Sequence, residues 1–196
     1  MSLVPAFEIG IWNAWMFVPA FCFFHGVAVV VWLLAGYDLK GVLKKASGYP
    51  YNDVERRIKR VWFLVFCLLF LYSLFLPLQL GTAWFYAGLA VFLSGLVVYE
   101  VAYAAWPDTP PHEPVTRGPY RFSRHPVYMT IFVQLIGVGI ASASWVFLLL
   151  TAVLIFLWRF LAIAEERFCL EKYGESYLQF MNRTPRWIGM PEARGR

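Results

Sequence analysis

Residues 117–128 read RGPYRFSRHPVY and lead directly into the apolar run of residues 129–141. The stretch is polar, basic and interrupted by two prolines, whereas the run after it has the composition of a membrane helix. Such a junction is typical of the point where a helix leaves the hydrocarbon layer. It brings imidazole, guanidinium and phenol groups to a site that water reaches from one side and lipid from the other. A cluster of this kind suits an anionic or zwitterionic cofactor.

The composition of the chain is that of a membrane protein. Hydrophobic residues make up 60% of the 196 residues and charged residues 15%, against about 45–50% and about 25% in soluble domains. A transmembrane helix needs about 20 predominantly apolar residues. Five stretches have or approach that length, namely residues 11–35, 61–80, 83–105, 128–143 and 144–164. We therefore predict one all-α integral membrane domain, residues 1–196, with five transmembrane helices.

The basic residues predict the orientation of this domain. The 17 Lys and Arg residues fall into three groups, with seven in residues 40–60, three in 117–124 and seven in 159–196. With five spans, all three groups lie on one side, which the positive-inside rule makes cytoplasmic. The sequence thus predicts a multi-pass cell-membrane protein with its N-terminus outside and its C-terminus in the cytoplasm. Attraction to anionic membrane lipids accompanies the net charge of +5, which needs no nucleic-acid partner.

The three cysteines indicate no metal or redox site. Cys22, Cys67 and Cys169 are far apart, and no CxxC or Cys/His metal spacing occurs. We interpret them as buried apolar thiols and predict no metal.

Two groups of polar residues are expected to meet at the cytosolic ends of the fourth and fifth helices. The link of residues 141–144 is so short that these helices must form an antiparallel pair. The first group precedes the fourth helix and contains His112, Glu113, Arg117, Tyr120, Arg121, Arg124, His125 and Tyr128. The second group ends the fifth helix and contains Arg159, Glu165, Glu166 and Arg167.

The chemistry of these groups suits an adenosyl or nicotinamide cofactor. Backbone N–H groups at the start of the fourth helix favour a carboxylate, and Tyr120 and Tyr128 can stack on a flat ring. Glu165 or Glu166 can accept hydrogen bonds from ribose hydroxyls or an amino group. Neither GxGxxG nor GxxxxGK[ST] occurs, so the cofactor is not held in a soluble nucleotide-binding fold.

Several residues keep two interpretations at this point. Arg159 shares a helix face with Glu166, so it either binds substrate or forms a structural ion pair. His125 either caps the fourth helix or binds a ligand. His25, alone in the first span, is favoured as a hydrogen-bonded packing residue. Glu100 either reaches the interface or lines the same cavity.

The motif Arg124-His125-Pro126-Val127-Tyr128, with residues 115–120 (VTRGPY) before it, resembles the cofactor motif of the isoprenylcysteine carboxyl methyltransferase family. Glu165-Glu166, residues 173–177 (YGESY) and residues 184–187 (TPRW) resemble its C-terminal tail, and residues 112–188 are covered. The resemblance implies S-adenosylmethionine as methyl donor and a small prokaryotic type of enzyme. Eukaryotic relatives carry an arginine four residues before the glutamate pair, where this chain has the apolar residues 161–164.

The resemblance and the residue chemistry together give the predicted site, which faces the cytoplasm. Arg159 and Glu165 are the predicted catalytic residues, and Arg159 replaces the missing arginine. The predicted cofactor-binding residues are His112, Glu113, Pro114, Val115, Tyr120, His125, Pro126, Val127, Tyr128 and Glu166.

The predicted reaction is methylation of the C-terminal carboxylate of a prenylated cysteine or of a similar lipidic acceptor. A carboxylate with a pKa of about 3.5 is already ionised at neutral pH, so this reaction needs no general base. Alternatives are a phospholipid N-methyltransferase, an NADPH-dependent enzyme resembling sterol reductases, and a non-enzymatic scaffold or transporter. Bound NADPH would distinguish the second, and failure to bind any cofactor the third.

Overall fold

The structure is a computed structural model that describes residues 7–38, 40, 50–110 and 112–190. Six helices are described: α1 Phe17–Leu34, α2 Asp53–Ser73, α3 Ala83–Tyr103, α4 Pro126–Ala141, α5 Trp145–Tyr173 and α6 Glu175–Arg183. Short 3-10 turns lie at Ala14–Met16 and Gly118–Arg121. The described part of the chain contains no β-strand, which confirms its predicted all-α class. The predicted cytosolic loop of residues 36–60 lies partly outside the described residues, at 39 and 41–49.

Among the residues that the structure describes, three helical stretches are long and apolar enough to cross a membrane: Ala14–Leu34, Ala83–Tyr103 and Trp145–Tyr173. The other two predicted spans differ from this pattern. Helix α4 is apolar but has only 16 residues, and α2 begins with six charged residues among its first eight. The five-span count and the orientation therefore remain predictions.

The second predicted span, residues 61–80, ends earlier than expected. Helix α2 stops at Ser73 because Pro77 cannot donate a helical hydrogen bond. The chain after it pairs instead with the segment before α1, where Ala14 N–H donates to Leu76 O at 2.8 Å and Leu78 N–H donates to Trp12 O at 3.0 Å. This contact joins the ends of α1 and α2.

Two glycines let α3 and α4 pack backbone against backbone. A Cβ atom at Gly88 would lie 2.2 Å from the Ala141 nitrogen, and one at Gly137 would lie 2.6 Å from the Phe92 nitrogen. Small residues permit this close approach, which drives helix association in lipid. The α3–α4 pair therefore forms a closely packed support for the loop that precedes α4.

Capping residues, a proline and a glycine set the helix ends. Asn52 caps α2 in a capping box with Glu55, and Pro126 occupies the first turn of α4. Gly174, with a φ of 56°, ends α5. Ser144 caps α5 through a 3.2 Å hydrogen bond from the Phe147 N–H group, so α4 and α5 form the predicted antiparallel pair. This turn directs the end of α5 back to the start of α4.

Candidate active site

His125 lies buried between the last residues before α4 and the C-terminal part of α5. Its ring is 5% exposed, and its backbone N–H donates to Ser123 Oγ at 3.0 Å. The ring Nε2 atom is 3.1 Å from Oε1 of Glu166, and Nδ1 is 3.5 Å from Oε2 of Glu165. The imidazole stacks on Tyr128 with 5.2 Å between ring centroids, and the Tyr128 hydroxyl donates to Glu165. The structure thus brings the two predicted polar groups together.

Glu166 is the centre of this ionic cluster. Arg186 donates from Nε to Oε1 at 3.0 Å and from Nη2 to Oε2 at 2.7 Å, which is the paired geometry that a guanidinium makes with a carboxylate. The Nε atom of Arg124 lies 3.4 Å from Oε1 of Glu166. Because Glu166 is only 3% exposed, its carboxylate depends on these cations rather than on water.

The two glutamates determine the charge of His125. Burial lowers the pKa of His125, but hydrogen bonds and charge from Glu165 and Glu166 outweigh burial and raise the pKa above its ordinary value of 6.5. The hydrogen bond to Glu166 likewise raises the pKa of Arg186. His125 is therefore favoured as an imidazolium, which can donate from both nitrogens.

The segment after α6 closes over this cluster. Arg124 N–H donates to Pro185 O at 3.0 Å, and Gly189 N–H donates to Phe122 O at 3.1 Å. The centroids of the Trp187 and His125 rings lie 5.9 Å apart. Residues 184–187 resemble the C-terminal tail of the methyltransferase family named above, but no role was predicted for Arg186. No local pattern in the sequence indicates that this tail folds back onto Glu166.

A small polar cavity of about 60 Å³ opens beside His125. Its lining combines aromatic rings with one carboxylate and one guanidinium, and consists of Trp106, Pro114, Val115, Tyr120, Arg124, His125, Glu165, Cys169, Tyr173, Tyr177 and Phe180. Trp106 Nε1–H donates to the Tyr120 hydroxyl at 2.7 Å. Burial raises the pKa of Tyr120, so its phenol is neutral. We refer to this space as the polar cavity.

The lining of the polar cavity fits an adenosyl donor that carries an amino acid. Its rings offer flat apolar faces to a purine, and Glu165 can accept hydrogen bonds from hydroxyl or amino groups. The buried Nε atom of Arg124 makes no hydrogen bond within the described residues, and its ion pair with Oε1 of Glu166 is long, at 3.4 Å. A donor carboxylate can therefore give this guanidinium a closer partner, which is the structural observation that favours a charged ligand.

The predicted site residues fall into three sets. Five of them line the polar cavity: Pro114, Val115, Tyr120, His125 and Glu165. Four others support it: Pro126 begins α4, Val127 packs in the cluster of Tyr120 and Tyr177, Tyr128 stacks on His125, and Glu166 holds the ionic cluster. His112, Glu113 and Arg159 have exposed side chains away from this lining.

Arg159 does not make the Glu166 contact that its spacing suggests. The two residues are seven apart, yet Arg159 is exposed and Glu166 is buried. Their surroundings differ because the tail, with Arg186, covers α5 at the level of Glu166. Arg186 and Arg124 take the place beside Glu166 that the sequence assigned to Arg159.

The remaining lining residues were not predicted as cofactor ligands. Tyr173, Tyr177 and Phe180 recur at helical spacing across the Gly174 turn, and this pattern indicates a buried face. No sequence pattern predicts that Trp106 and Cys169 line the polar cavity. Their positions there depend on the path of the connection that leads from α3 back to α5.

A larger apolar cavity of about 340 Å³ lies between the helices. It is lined by Ala14, Phe17, Val18, Phe21, Trp62, Phe66, Leu69, Phe70, Ser73, Phe92, Ile131, Gln134, Leu135, Val138, Phe147 and Trp158. Trp158 packs 4.8 Å from the Tyr128 ring. The Tyr128–Trp158 contact therefore connects this apolar cavity with the ionic cluster.

Residues 76–176 match the model of the phospholipid methyltransferase family. The match covers more than half of the chain and includes α3, α4, α5 and the lining of the polar cavity except Tyr177 and Phe180. The chain belongs to the phospholipid methyltransferase family, and it is accordingly a membrane methyltransferase. Searches of curated proteins and of solved structures give no match.

Proposed function

We propose that this protein transfers a methyl group from S-adenosylmethionine to the polar head of a lipidic acceptor on the cytoplasmic side of the cell membrane. The observation that carries the proposal is that Tyr128 contacts a lining residue of each cavity, because it stacks on His125 of the charged, aromatic cavity and packs against Trp158 of the large apolar cavity. One cavity suits a water-soluble donor, and the other suits a hydrocarbon chain.

The donor side is formed by residues that line the polar cavity. Tyr120, held by Trp106, offers a ring face, Glu165 accepts hydrogen bonds, and Arg124 binds a carboxylate. His125 and Glu166 fix these groups rather than react. The cavity of about 60 Å³ is smaller than the roughly 300 Å³ typical of ligand pockets, so binding of a donor widens it.

The acceptor side is formed by apolar side chains from five of the described helical segments. Trp158 and Trp62 pack edge to face at 4.8 Å at one end of the apolar cavity. Among the lining residues, Trp158 packs on Tyr128 and Phe21 stacks on His25. The head of a lipid whose chain lies in this cavity is therefore near polar side chains. This arrangement explains why a transferase for a soluble donor is built from membrane helices.

Methyl transfer requires alignment and exclusion of water more than acid–base chemistry. When bound, S-adenosylmethionine supplies a methyl group on a positively charged sulfur, which leaves as a neutral thioether as the acceptor forms its new bond. Tyr128 and Glu165 limit access of water between the cavities. Because Arg124 binds the donor carboxylate, the His125 imidazolium is the second cation of the polar cavity that a carboxylate acceptor would meet.

The acceptor has two candidate chemistries. The RHPVY motif favours the carboxylate of a prenylated cysteine, as the resemblance implies. The family favours a phospholipid amine, and a carboxylate on α3, Glu100, favours it too, as argued below. An amine must lose a proton before it attacks, so its methylation rate rises with pH, whereas that of a carboxylate does not.

Donor binding tests the proposal most directly. We expect calorimetry on the purified full chain to show that S-adenosylhomocysteine binds, and that Tyr120→Ala weakens the affinity at least tenfold. Tyr86→Ala, at an exposed tyrosine on α3, is the matched control and should bind normally. Equal affinity in wild type and Tyr120→Ala, or binding of NADPH in place of S-adenosylhomocysteine, would contradict the proposal.

Labelled methyl transfer then identifies the acceptor. A carboxyl methyl ester is released by base, whereas an N-methyl group is retained. Incubation of the enzyme with a labelled donor and either farnesylcysteine or phosphatidylethanolamine therefore separates the two candidates.

A further inference from the structure

Two ionisable side chains face each other inside the membrane helices, away from the polar cavity. His25 on α1 and Glu100 on α3 approach to 3.6 Å between Nδ1 and Oε1, and each side chain is 24% exposed. The distance is longer than a hydrogen bond. Ionisable groups within membrane helices are costly, and they mark functional sites when they persist.

Aromatic rings surround this pair. Tyr103 lies 4.8 Å and Tyr99 5.4 Å from the His25 ring, both edge-on, and Phe21 stacks on the ring at 5.8 Å. Aromatic faces beside a carboxylate are the groups that recognise ammonium ions, because the ring faces and the carboxylate both attract positive charge. We call His25, Glu100 and these three rings the headgroup cage.

The cage offers three unused hydrogen-bond acceptors. Nδ1 of His25 and both carboxylate oxygens of Glu100 are buried from solvent and have no hydrogen-bond partner within the described residues. A buried acceptor without a donor costs free energy. A primary ammonium group has three N–H donors and one positive charge. It can therefore satisfy all three acceptors and neutralise Glu100, with the imidazole proton on Nε2.

The position of the cage suits a lipid headgroup. Glu100 lies three residues before the end of α3, which is about 4.5 Å along the helix axis. Tyr103 stacks on Trp106 with 6.0 Å between centroids, and Trp106 donates to Tyr120 in the polar cavity. Because each ionisable side chain is 24% exposed while its acceptor atoms are buried, the cage lies just beneath the surface of α1 and α3.

We propose that the headgroup cage binds the primary ammonium group of a phospholipid and holds it beside the polar cavity as the acceptor amine. The role as acceptor rests on the proposed function, whereas ammonium binding stands on the cage itself. A lipid is the occupant because the cage lies on helices whose surroundings are apolar side chains.

Ligand-dependent thermal unfolding of the detergent-solubilised full chain tests the cage, because a ligand that binds the folded state raises the midpoint. We expect lysophosphatidylethanolamine to raise the midpoint of the wild type and lysophosphatidylglycerol, which lacks the ammonium group, to have much less effect. Glycerophosphoethanolamine lacks the acyl chain and should also have little effect. Equal shifts with lysophosphatidylglycerol or glycerophosphoethanolamine would overturn the proposal.

Variants separate binding from support of the fold. Glu100→Gln should weaken half-saturation by lysophosphatidylethanolamine at least tenfold, while Ser94→Ala, at an exposed position on α3, should leave it unchanged. If Glu100→Gln lowers the unliganded midpoint but keeps the wild-type half-saturation, the pair is structural and the proposal is wrong. Phe21→Leu, which removes one ring, gives a second test and should weaken binding several-fold.

S-adenosylhomocysteine binding distinguishes this proposal from the proposed function. We expect Glu100→Gln to bind S-adenosylhomocysteine like the wild type, because Glu100 does not line the polar cavity. A wild type that binds lysophosphatidylethanolamine but not S-adenosylhomocysteine would refute the donor proposal and leave the cage intact. The reverse result would refute the cage alone.

Discussion

The Nε2 atom of His125 lies 3.1 Å from Oε1 of Glu166, and the same carboxylate is bound by two atoms of the Arg186 guanidinium. One buried carboxylate thus joins the loop before α4, the end of α5 and the segment after α6. Glu166 acts on the polar cavity through His125 and Arg124, since it does not itself line the cavity.

Replacement of Glu166 by Gln should destabilise the protein strongly. The substitution keeps the shape but removes the counter-charge of Arg124 and Arg186 and leaves His125 with Glu165 alone, and loss of one partner from a buried ion pair costs about 3–5 kcal/mol. The fall in thermal midpoint measures the effect. Glu175→Gln is the control, because Glu175 is exposed and bonds only Gln179 at 3.3 Å. Similar midpoints for the two variants would show that Glu166 is not the centre of the cluster.

The stability of the wild type should fall at alkaline pH because of His125. Its pKa is raised above 6.5 in the folded protein, so its contribution is fully present below about 6.5 and is lost as the pH rises through the folded-state pKa. Thermal midpoints measured from pH 5 to 9 for wild type and His125→Asn give the difference. That difference should shrink with rising pH, and a constant difference would contradict the charged state assigned to His125.

Alanine at Gly88 or Gly137 should separate α3 from α4. The new Cβ atom at Gly88 would meet the Ala141 backbone at 2.2 Å, and at Gly137 it would meet the Phe92 backbone at 2.6 Å. Neither backbone can move aside cheaply, and overpacking costs about 1–3 kcal/mol or more. Gly26→Ala on α1 is the matched control, because its Cβ meets nothing within 4 Å. If all three variants melt alike, the close contact is not a source of stability.

The stability of the protein should depend on both the charge and the length of the Glu55 side chain. It completes the capping box of α2 and accepts two 2.8 Å hydrogen bonds from Arg167 on α5. Glu55→Gln retains the box but loses the charge, so we expect a loss of about 1 kcal/mol. Glu55→Ala removes both and should cost about 2 kcal/mol. Arg57→Gln, at an exposed position of α2, should have no effect.

Glu55 also predicts that the stability of the protein falls at acidic pH. The hydrogen bond from Arg167 lowers the pKa of Glu55 below 4.5. Its contribution is therefore present above about pH 4.5 and is lost as the pH falls through the lower folded-state pKa. Glu55→Gln should lack this acid-side loss, and an identical acid profile in both proteins would rule out the Arg167 contact.

Local signals in the sequence set several of the helix ends. Asn52, Pro126 and Gly174 act through the backbone of their immediate neighbours, so their effect is visible without tertiary structure. The end of α2 was placed too late, at residue 80, because hydropathy continues past Ser73. Pro77 and the pairing of Leu76 and Leu78 with the segment before α1 end the helix instead.

Long-range contacts were predicted only in part. His125 and the Glu165–Glu166 pair were expected to meet because a short link joins α4 and α5. Arg186 escaped prediction because the return of the tail depends on contacts with Arg124, Ser123 and Phe122 that no local pattern encodes. Arg159 was favoured because it shares a helix face with Glu166 and because it could replace the arginine that the resemblance implies. Neither argument shows which segments cover α5 along its length.

The residues that close over Glu166 follow every described helix in the chain. Arg186 and Trp187 leave the ribosome after the membrane helices have been made, so insertion into the bilayer precedes completion of the ionic cluster. A chain cut before Thr184 would retain all its described apolar helices and lose the Arg186 guanidinium that binds Glu166. Such a chain should still insert into the membrane and yet be less stable and catalytically silent, so insertion alone is no guide to a functional preparation.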